Sequence, residues 1–320
     1  MHRWIGGVGL VIVIGILPWL LPTYNLHIIN IALVYIVLAL SLNFMLGYVG
    51  ELPLCQAAFF GVGAYASAKI SMGLGVDVWG AVILAVIVSA LVGLAVGYMA
   101  LQVTGHYFVL ITLAFAELIH IVVLKWVTFT GGAQGITEIP PLGIPLIGAN
   151  GLAIRSTFGY YFVLVGVAVL VVYIAIRVTK SHLGMTFKAM RENDALAQAV
   201  GINRFKYKLL AFTGFALLSG LAGSVYAHYV GVISPTLLTF GYTLLPLVAV
   251  VLGGKGTVVG PIVGGLVVAA LPEYLRFMGQ YRLVMVGVVL IVVIVFLPEG
   301  IGGYIATRLP RSIKEVWARG

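Results

Sequence analysis

Charged residues are scarce throughout this sequence. Asp, Glu, Lys and Arg together make up 8% of its 320 residues, whereas 62% of the residues are hydrophobic. Soluble domains carry roughly 25% charged residues, so this composition excludes a soluble globular protein. The apolar runs suffice for about ten spans of ~20 residues each, within a range of about eight to twelve. We therefore predict an all-α, polytopic membrane protein in which residues 1–320 form a single transmembrane domain.

Cysteine and clustered metal ligands are also lacking. Cys55 is the only cysteine, which excludes an internal disulfide framework. The six histidines are scattered along the chain, so no group has the spacing of a catalytic or metal site. Lys255 in the run GGKG does not belong to a phosphate-binding loop, because Gly256 replaces the Ser or Thr that follows the lysine there. We expect no catalytic, cofactor-binding or metal-binding residues in this chain.

What the sequence has in abundance is apolar runs of nearly membrane length. The run 51–69 is rich in Gly and Ala, and Pro53 suits the first turn of its helix. The Gly- and Pro-rich residues 130–156 are too irregular for lipid and belong at a water face. His228, near the end of a later run, is expected at the membrane interface. The runs 51–69 and 242–271 could each be broken or re-entrant. The predicted spans are residues 4–21, 28–47, 51–69, 78–101, 106–127, 158–178, 206–230, 242–252, a ninth from about 257, and 283–297.

Two spans hold small or polar residues where a lipid-facing helix would hold Leu and Val. Gln56 and Gly61 lie in the run 51–69, whose small residues let helices approach closely. Glu117 lies near the middle of its span, with His120 one turn further on the same face. An ionisable residue at that depth normally faces protein or a wet cavity. Two roles stay open for these residues: contacts along a translocation path, with Glu117 meeting an ammonium group, or packing and a buried structural hydrogen bond.

The stretch 177–208 is the one long polar interruption, and it holds seven of the 18 Lys and Arg residues. Asn193 or Asp194 can cap a short helix over residues 195–200, and Gly201 can end it in the left-handed conformation. Such a helix can fit a groove in a partner protein and move as a rigid body. Alternatively, the basic residues hold anionic membrane lipid. The predicted partner-binding residues are Met190, Glu192, Asp194, Ala195, Ala197, Ala199 and Gly201.

The distribution of basic residues predicts the orientation. If the N-terminus is cytoplasmic, six spans bring the loop 179–208 to the cytoplasm, and four more bring the tail 299–320 there. Thirteen of the 18 Lys and Arg residues then lie inside, namely Arg3, the seven of the polar stretch, Lys255 and four in the tail. This bias agrees with the positive-inside rule, so the net charge of +9 does not indicate a nucleic-acid partner. Both termini are predicted to be cytoplasmic.

Several blocks, in order along the chain, resemble one family of transporters. The resemblance is to the LivM-like permease subunits of branched-chain amino acid ABC importers, in the runs ALSLNFMLGYVGELPLCQAAFFGVGAY from Ala39, TGGAQGI from Thr130, LGMTFKAMRENDALAQAVGIN from Leu183 and LGGKGTVVGP from Leu252. It spans nearly the whole chain. It implies an importer permease of the branched-chain amino acid/ribose type, with no enzymatic activity of its own.

The resemblance also implies a substrate, a membrane location and partner proteins. The chain would form a translocation path for branched-chain amino acids in a bacterial or archaeal plasma membrane. Its partners would be a second homologous permease, two cytoplasmic ATPase subunits that bind ATP and Mg²⁺, and an extracytoplasmic binding protein. The loop 183–203 would then couple the permease to the ATPases. Related permeases move urea, amides, sugars or nucleosides, so these solutes stay open. The alternative from a different class is a stand-alone, ion-coupled carrier.

Overall fold

The architecture is helical in the part of the chain that the computed structural model describes, residues 15, 17–19, 21–73, 75–143, 154, 156–281, 287, 288, 291 and 300. The predicted spans 4–21 and 283–297 and the tail 299–320 lie largely outside these residues. Eleven α-helices lie within them. They are α1 Thr23–Asn43, α2 Gln56–Gly73, α3 Val78–Ala100, α4 His106–Lys125, α5 Val127–Thr130, α6 Thr157–Lys180, α7 His182–Glu192, α8 Asp194–Ala199, α9 Arg204–Val230, α10 Gly241–Gly253 and α11 Val259–Tyr274.

Among the described residues, five helices are long and apolar enough to cross a membrane. These are α1 with its continuation to Val49, α3, α4, α6 and α9, while α10 and α11 are shorter apolar helices. Each lies within a few residues of a predicted span. The prediction of an all-α polytopic membrane fold is therefore confirmed, whereas the total number of spans stays a prediction.

The centre of the bundle is the crossing of α2 and α9. Gly63 of α2 lies against the backbone of Gly220, and Gly223 of α9 lies against the carbonyl group of Phe60. A Cβ atom on Gly63 or Gly223 would overlap these backbone atoms. Helix α3 packs beside this pair, and α1 joins it to α10 and α11. The small residues of the run 51–69 thus correctly predicted a helix inside the bundle.

The connection between α1 and α2 interrupts the helical backbone. Helix α1 continues as a π-helical turn, Phe44–Val49, which ends at Gly50 in the left-handed conformation with φ of 86°. Residues 51–55 are irregular, and α2 begins only at Gln56. We call residues 44–55 the break. The prediction that Pro53 lies in the first turn of a helix was wrong.

Side chains of neighbouring helices stabilise the break. The amide of Leu54 donates to Thr112 Oγ1 at 3.0 Å, and the amide of Ala57 donates to Thr243 Oγ1 at 3.0 Å. Proline has no N–H, so Pro53 adds no donor that would need a partner. Non-helical backbone at membrane depth is tolerated only where protein or water satisfies it. Threonines on α4 and α10, far away in sequence, therefore decide where α2 begins.

The polar stretch folds into two helices at one end of the bundle, which we call the polar end. Helix α8 confirms the predicted short helix, because Asn193 Oδ1 accepts the amide of Leu196 at 2.9 Å and Gly201 has φ of 90°. Helix α7 was not predicted. It buries Phe187 and packs against α6 and the break. Leu183, Phe187 and Met190 follow the i, i+4, i+7 spacing of an amphipathic helix, which was a usable signal in the sequence.

At the opposite end, two connections are tied together. Ile136, in the loop after α5, forms an antiparallel bridge with Ile233, which follows α9. His228 was expected at the membrane interface but is buried. Its ring nitrogens lie 2.7 Å from Ser67 Oγ and 2.7 Å from the carbonyl oxygen of Pro140. The histidine thus fixes this loop to both α2 and α9.

Candidate functional site

Helix α8 presents two large apolar side chains at the polar end. Leu196 is 63% exposed, and Val200, at the C-terminal cap of the helix, is 72% exposed. Because residues four apart lie on one face of a helix, the two side chains form a single patch, which we call the α8 patch. A groove of about 450 Å³ lies beside it. The groove is lined by Gln198, Gly201, Ile202, Asn203, Arg204 and Phe205.

The predicted partner-binding residues divide into three groups. Met190 and Ala197 are buried inside the chain, Ala197 with 4% exposure, so they support the two helices from beneath. Asp194 is half-buried and forms ion pairs. The remaining residues are exposed, namely Glu192, Ala195, Ala199 and Gly201. Sequence reasoning missed Leu196 and Val200, although large apolar residues within a polar segment are a usable signal.

A group of ion pairs attaches α8 to the bundle. Lys208 Nζ lies 2.9 Å from Asp194 Oδ2 and 2.8 Å from Glu51 Oε1. Arg204 Nη1 also reaches Asp194 Oδ2, at 3.3 Å. Lys208 is only 6% exposed, so it is a nearly buried cation between two carboxylates. No motif in the sequence indicates that Glu51, a residue of the break, belongs to this group.

Gln56 and Gly61, predicted along a translocation path, lie in the packed interior. Gln56 Nε2 donates to the carbonyl of Leu38 at 2.6 Å and to Ser41 Oγ at 2.9 Å, and the side chain is fully buried. At Gly61, a Cβ atom would come within 2.5 Å of Leu238 Cγ. These two residues therefore hold helices together within this chain, and the structure does not bring them together with Glu117.

Glu117 lies on the outer face of α4. Its side chain is 64% exposed, and Oε1 lies 3.4 Å from Nδ1 of His120, whose side chain is 21% exposed. The predicted pairing one turn apart is thus present. A charged residue at the centre of a membrane helix costs about 2.5–3.5 kcal/mol on insertion scales. Because the carboxylate faces away from the chain's own core, this face needs a polar or wet cover from outside the chain.

Comparisons with known proteins agree with this architecture. Residues 24–296 match the family described as branched-chain amino acid transport system / permease component. The permease protein LivM of a high-affinity branched-chain amino acid transport system from Salmonella typhimurium is 28% identical, over 95% of this chain and 75% of that protein. LivM of Escherichia coli is also 28% identical, over 89% of this chain and 71% of that protein.

A second type of permease from the same kind of system is similar too. LivH of Salmonella typhimurium is 26% identical, over 84% of this chain and 91% of that protein. No solved structure matches this chain. The family match covers every described helix except the first residue of α1, and it agrees with the resemblance that the sequence blocks indicate. This multi-pass membrane protein belongs to the family of permease components of branched-chain amino acid transport systems.

Proposed function

We propose that this chain is a permease subunit of an ATP-binding cassette importer that moves branched-chain amino acids into the cell. A second, homologous permease completes the translocation path. Two ATPase subunits bind at the polar end and open the path, and an extracytoplasmic binding protein delivers the substrate. ATP and Mg²⁺ belong to the ATPase subunits, so this chain contributes no catalytic group. The observation that carries the proposal is the α8 patch, on a chain of a permease family.

The α8 patch suits a protein groove for a physical reason. The helix is capped by Asn193 and anchored through Asp194, so it moves with the bundle as one body. Leu196 and Val200 offer apolar area, and burial of apolar area is the main favourable term in most protein–protein association. An anionic membrane surface would attract the neighbouring basic residues and bury the same apolar side chains, so lipid is the alternative occupant of the patch.

The orientation follows from the basic residues. Arg177 and Lys180 end α6, Lys188 and Arg191 lie on α7, and Arg204 begins α9, so all five lie at the polar end. Basic residues collect on the cytoplasmic side of membrane proteins. These residues support a cytoplasmic position for the polar end, where ATPase subunits are available, and an outward position for the loop tied by His228.

The outer face of α4 is proposed to face the translocation path. Branched-chain amino acids carry an ammonium group, a carboxylate and an apolar tail. Glu117 offers an acceptor for the ammonium, and exposed Leu113 and Leu118 beside it offer apolar surface. The second permease would cover this face from the other side. This arrangement also removes the cost of exposing a carboxylate to lipid.

One experiment tests the class and the substrate together. The chain is reconstituted in liposomes with a second permease, the ATPase subunits and the binding protein, and uptake of radiolabelled leucine, isoleucine and valine is measured with ATP on the ATPase side. We expect uptake that requires both ATP and the ATPase subunits. Uptake by this chain alone under an ion gradient would instead establish a secondary carrier. ATP-driven uptake of urea, amides, sugars or nucleosides without leucine uptake would change the substrate.

A further inference from the structure

Two basic side chains of the polar end reach into the break between α1 and α2. Lys208, in the second turn of α9, contacts Glu51, and Arg191 of α7 donates from Nη1 to the carbonyl oxygen of Gly47 at 2.6 Å. Glu51 follows the π-helical turn, and Gly47 lies within it. The segment that carries the α8 patch is therefore joined to the break at two places.

Lys208 forms the tighter of these connections. Its ammonium group lies between Oε1 of Glu51 and Oδ2 of Asp194, the first residue of α8, at 2.8 and 2.9 Å. The side chain of Glu51 is itself largely buried, at 15% exposure. Separating a buried cation from its carboxylates leaves uncompensated charge, which is strongly unfavourable. A displacement of α8 therefore pulls Glu51 with it rather than stretching the pair.

The break is the part of the bundle that can respond to such a pull. π-Helical turns occur frequently at functional sites, and residues 51–55 are not part of a regular helix. Next to Arg191, a Cβ atom on Gly50 would come within 3.1 Å of that arginine's Cγ, so only glycine fits this close approach without adjustment. The left-handed φ of 86° at Gly50 also favours glycine.

The far side of the break contacts the helix that carries Glu117. The amide of Leu54 donates to Thr112 Oγ1 on α4, and Glu117 lies five residues further along that helix. A continuous series of contacts thus runs from Asp194 through Lys208 and the break to α4.

Resting on the proposed function, we propose that Lys208 is a positioning residue that transmits movement of α8 to the break and thereby to α4. It touches neither the ATPase nor the substrate. Lys208 affects the coupling between ATP hydrolysis and transport, since it sets how far the ends of α1 and α2 that flank the break move with the α8 patch. The competing role is structural, in which Lys208 serves only to fold the base of α9.

Neutral variants separate the two roles. In the reconstituted complex, Lys208→Gln is expected to lower leucine uptake per ATP hydrolysed about tenfold, in the range by which residues between two sites modulate coupling. Lys208→Arg keeps the charge and should restore most of the coupling. The double variant Lys208→Met with Glu51→Gln leaves no unpaired charge at the break, because Asp194 keeps Arg204. The double variant should assemble normally, and its leucine uptake per ATP hydrolysed should stay low.

Lys206→Gln is the matched control. Lys206 lies two residues before Lys208 on α9, but it is exposed and lines neither the α8 patch nor the groove beside it. Uptake per ATP should then change by less than about twofold, as for most surface substitutions. Normal coupling in the double variant would overturn the proposal. So would its failure to assemble when Lys206→Gln assembles, because the ion pairs would then serve folding alone.

A third variant distinguishes failure of this inference from failure of the proposed function. Leu196→Glu with Val200→Glu should release the ATPase subunits, while Lys208→Gln should leave them bound. If the patch variant releases the ATPase subunits and the Lys208 variants couple normally, the proposed docking site is supported and the transmission role of Lys208 is wrong. If the patch variant keeps both its ATPase subunits and its leucine uptake, the proposed docking site is wrong. The transmission role of Lys208 is then wrong as well, because it depends on that site.

Discussion

Leu196 and Val200 lie one turn apart at the polar end, and both expose most of their side chains to solvent. Under the proposed function, this patch is where the ATPase subunits bind. Replacing both residues with Glu should weaken binding of the ATPase subunits by about thirtyfold or more, since burying a Leu or Val side chain contributes about 1.5–3 kcal/mol. Co-purification of the complex in detergent measures this directly.

Met185→Glu with Ala189→Glu on α7 is the control for the patch, because both residues are exposed at the polar end and neither belongs to the α8 patch or to the groove beside it. This double variant adds the same two negative charges at the same end of the molecule and should leave ATPase binding unchanged. If both variants lose the ATPases equally, charge repulsion rather than the apolar patch explains the result. The double patch variant is also tested for binding to vesicles of anionic lipid. If it no longer binds the vesicles but keeps the ATPase subunits, the patch binds lipid instead.

The backbone geometry of α8 should matter for stimulation of the ATPase subunits as much as its apolar surface does. Gly201 has φ of 90°, which proline cannot adopt because its ring fixes φ near −65°. Gly201→Pro should therefore abolish substrate-stimulated ATP hydrolysis while the protein still inserts in the membrane. Western detection of the inserted protein and phosphate release from the purified complex report the two properties. Full stimulation in this variant would mean that α8 need not end at Gly201.

Ala197 tests the same helix from beneath. It is almost fully buried against its own chain, so Ala197→Leu should overpack the site at a cost of about 1–3 kcal/mol and tilt α8. Ala189→Leu adds the same volume at an exposed position on α7 and serves as its control. We expect reduced stimulated ATP hydrolysis for Ala197→Leu alone. Equal losses would indicate that added volume at the polar end, rather than overpacking beneath α8, causes the loss.

The sequence was most informative where structure is decided locally. Asn193 and Gly201 bound α8 as predicted, because an N-cap and a left-handed glycine act within one turn of the helix. The apolar runs likewise predicted the long spans, because membrane depth alone sets their length. Small residues in α2 predicted its place inside the bundle.

Long-range polar contacts were not predictable in this way. Glu51 and Lys208 are separated by 157 positions, and neither belongs to a motif that indicates the other. Likewise, Thr112 and Thr243 delay the start of α2, which local preference had placed at Pro53. Such contacts depend on how helices are arranged in space, and one sequence contains no periodic signal for that arrangement.

The α2–α9 crossing gives a prediction about stability. Gly63→Ala would place a Cβ atom onto the backbone of Gly220 and force the helices apart, so thermal unfolding in detergent should occur at lower temperature. Overpacking of this kind costs about 1–3 kcal/mol. Gly214→Ala on α9 has no neighbouring atom within 4 Å of the new methyl group and should unfold near the wild-type temperature. An unchanged unfolding temperature for Gly63→Ala would show that the α2–α9 crossing accommodates a methyl group.

Glu117 offers the sharpest prediction about the path itself. If the carboxylate receives the substrate ammonium, Glu117→Gln loses a charge-assisted hydrogen bond worth about 1.5–3 kcal/mol, and leucine uptake should fall at least about tenfold. Binding of the ATPases and of the second permease should be unaffected, because the glutamine keeps the size of the side chain. Uptake at the wild-type rate would exclude a path role. Loss of the second permease would instead assign Glu117 to the contact between the two subunits, with His120 as its partner within this chain.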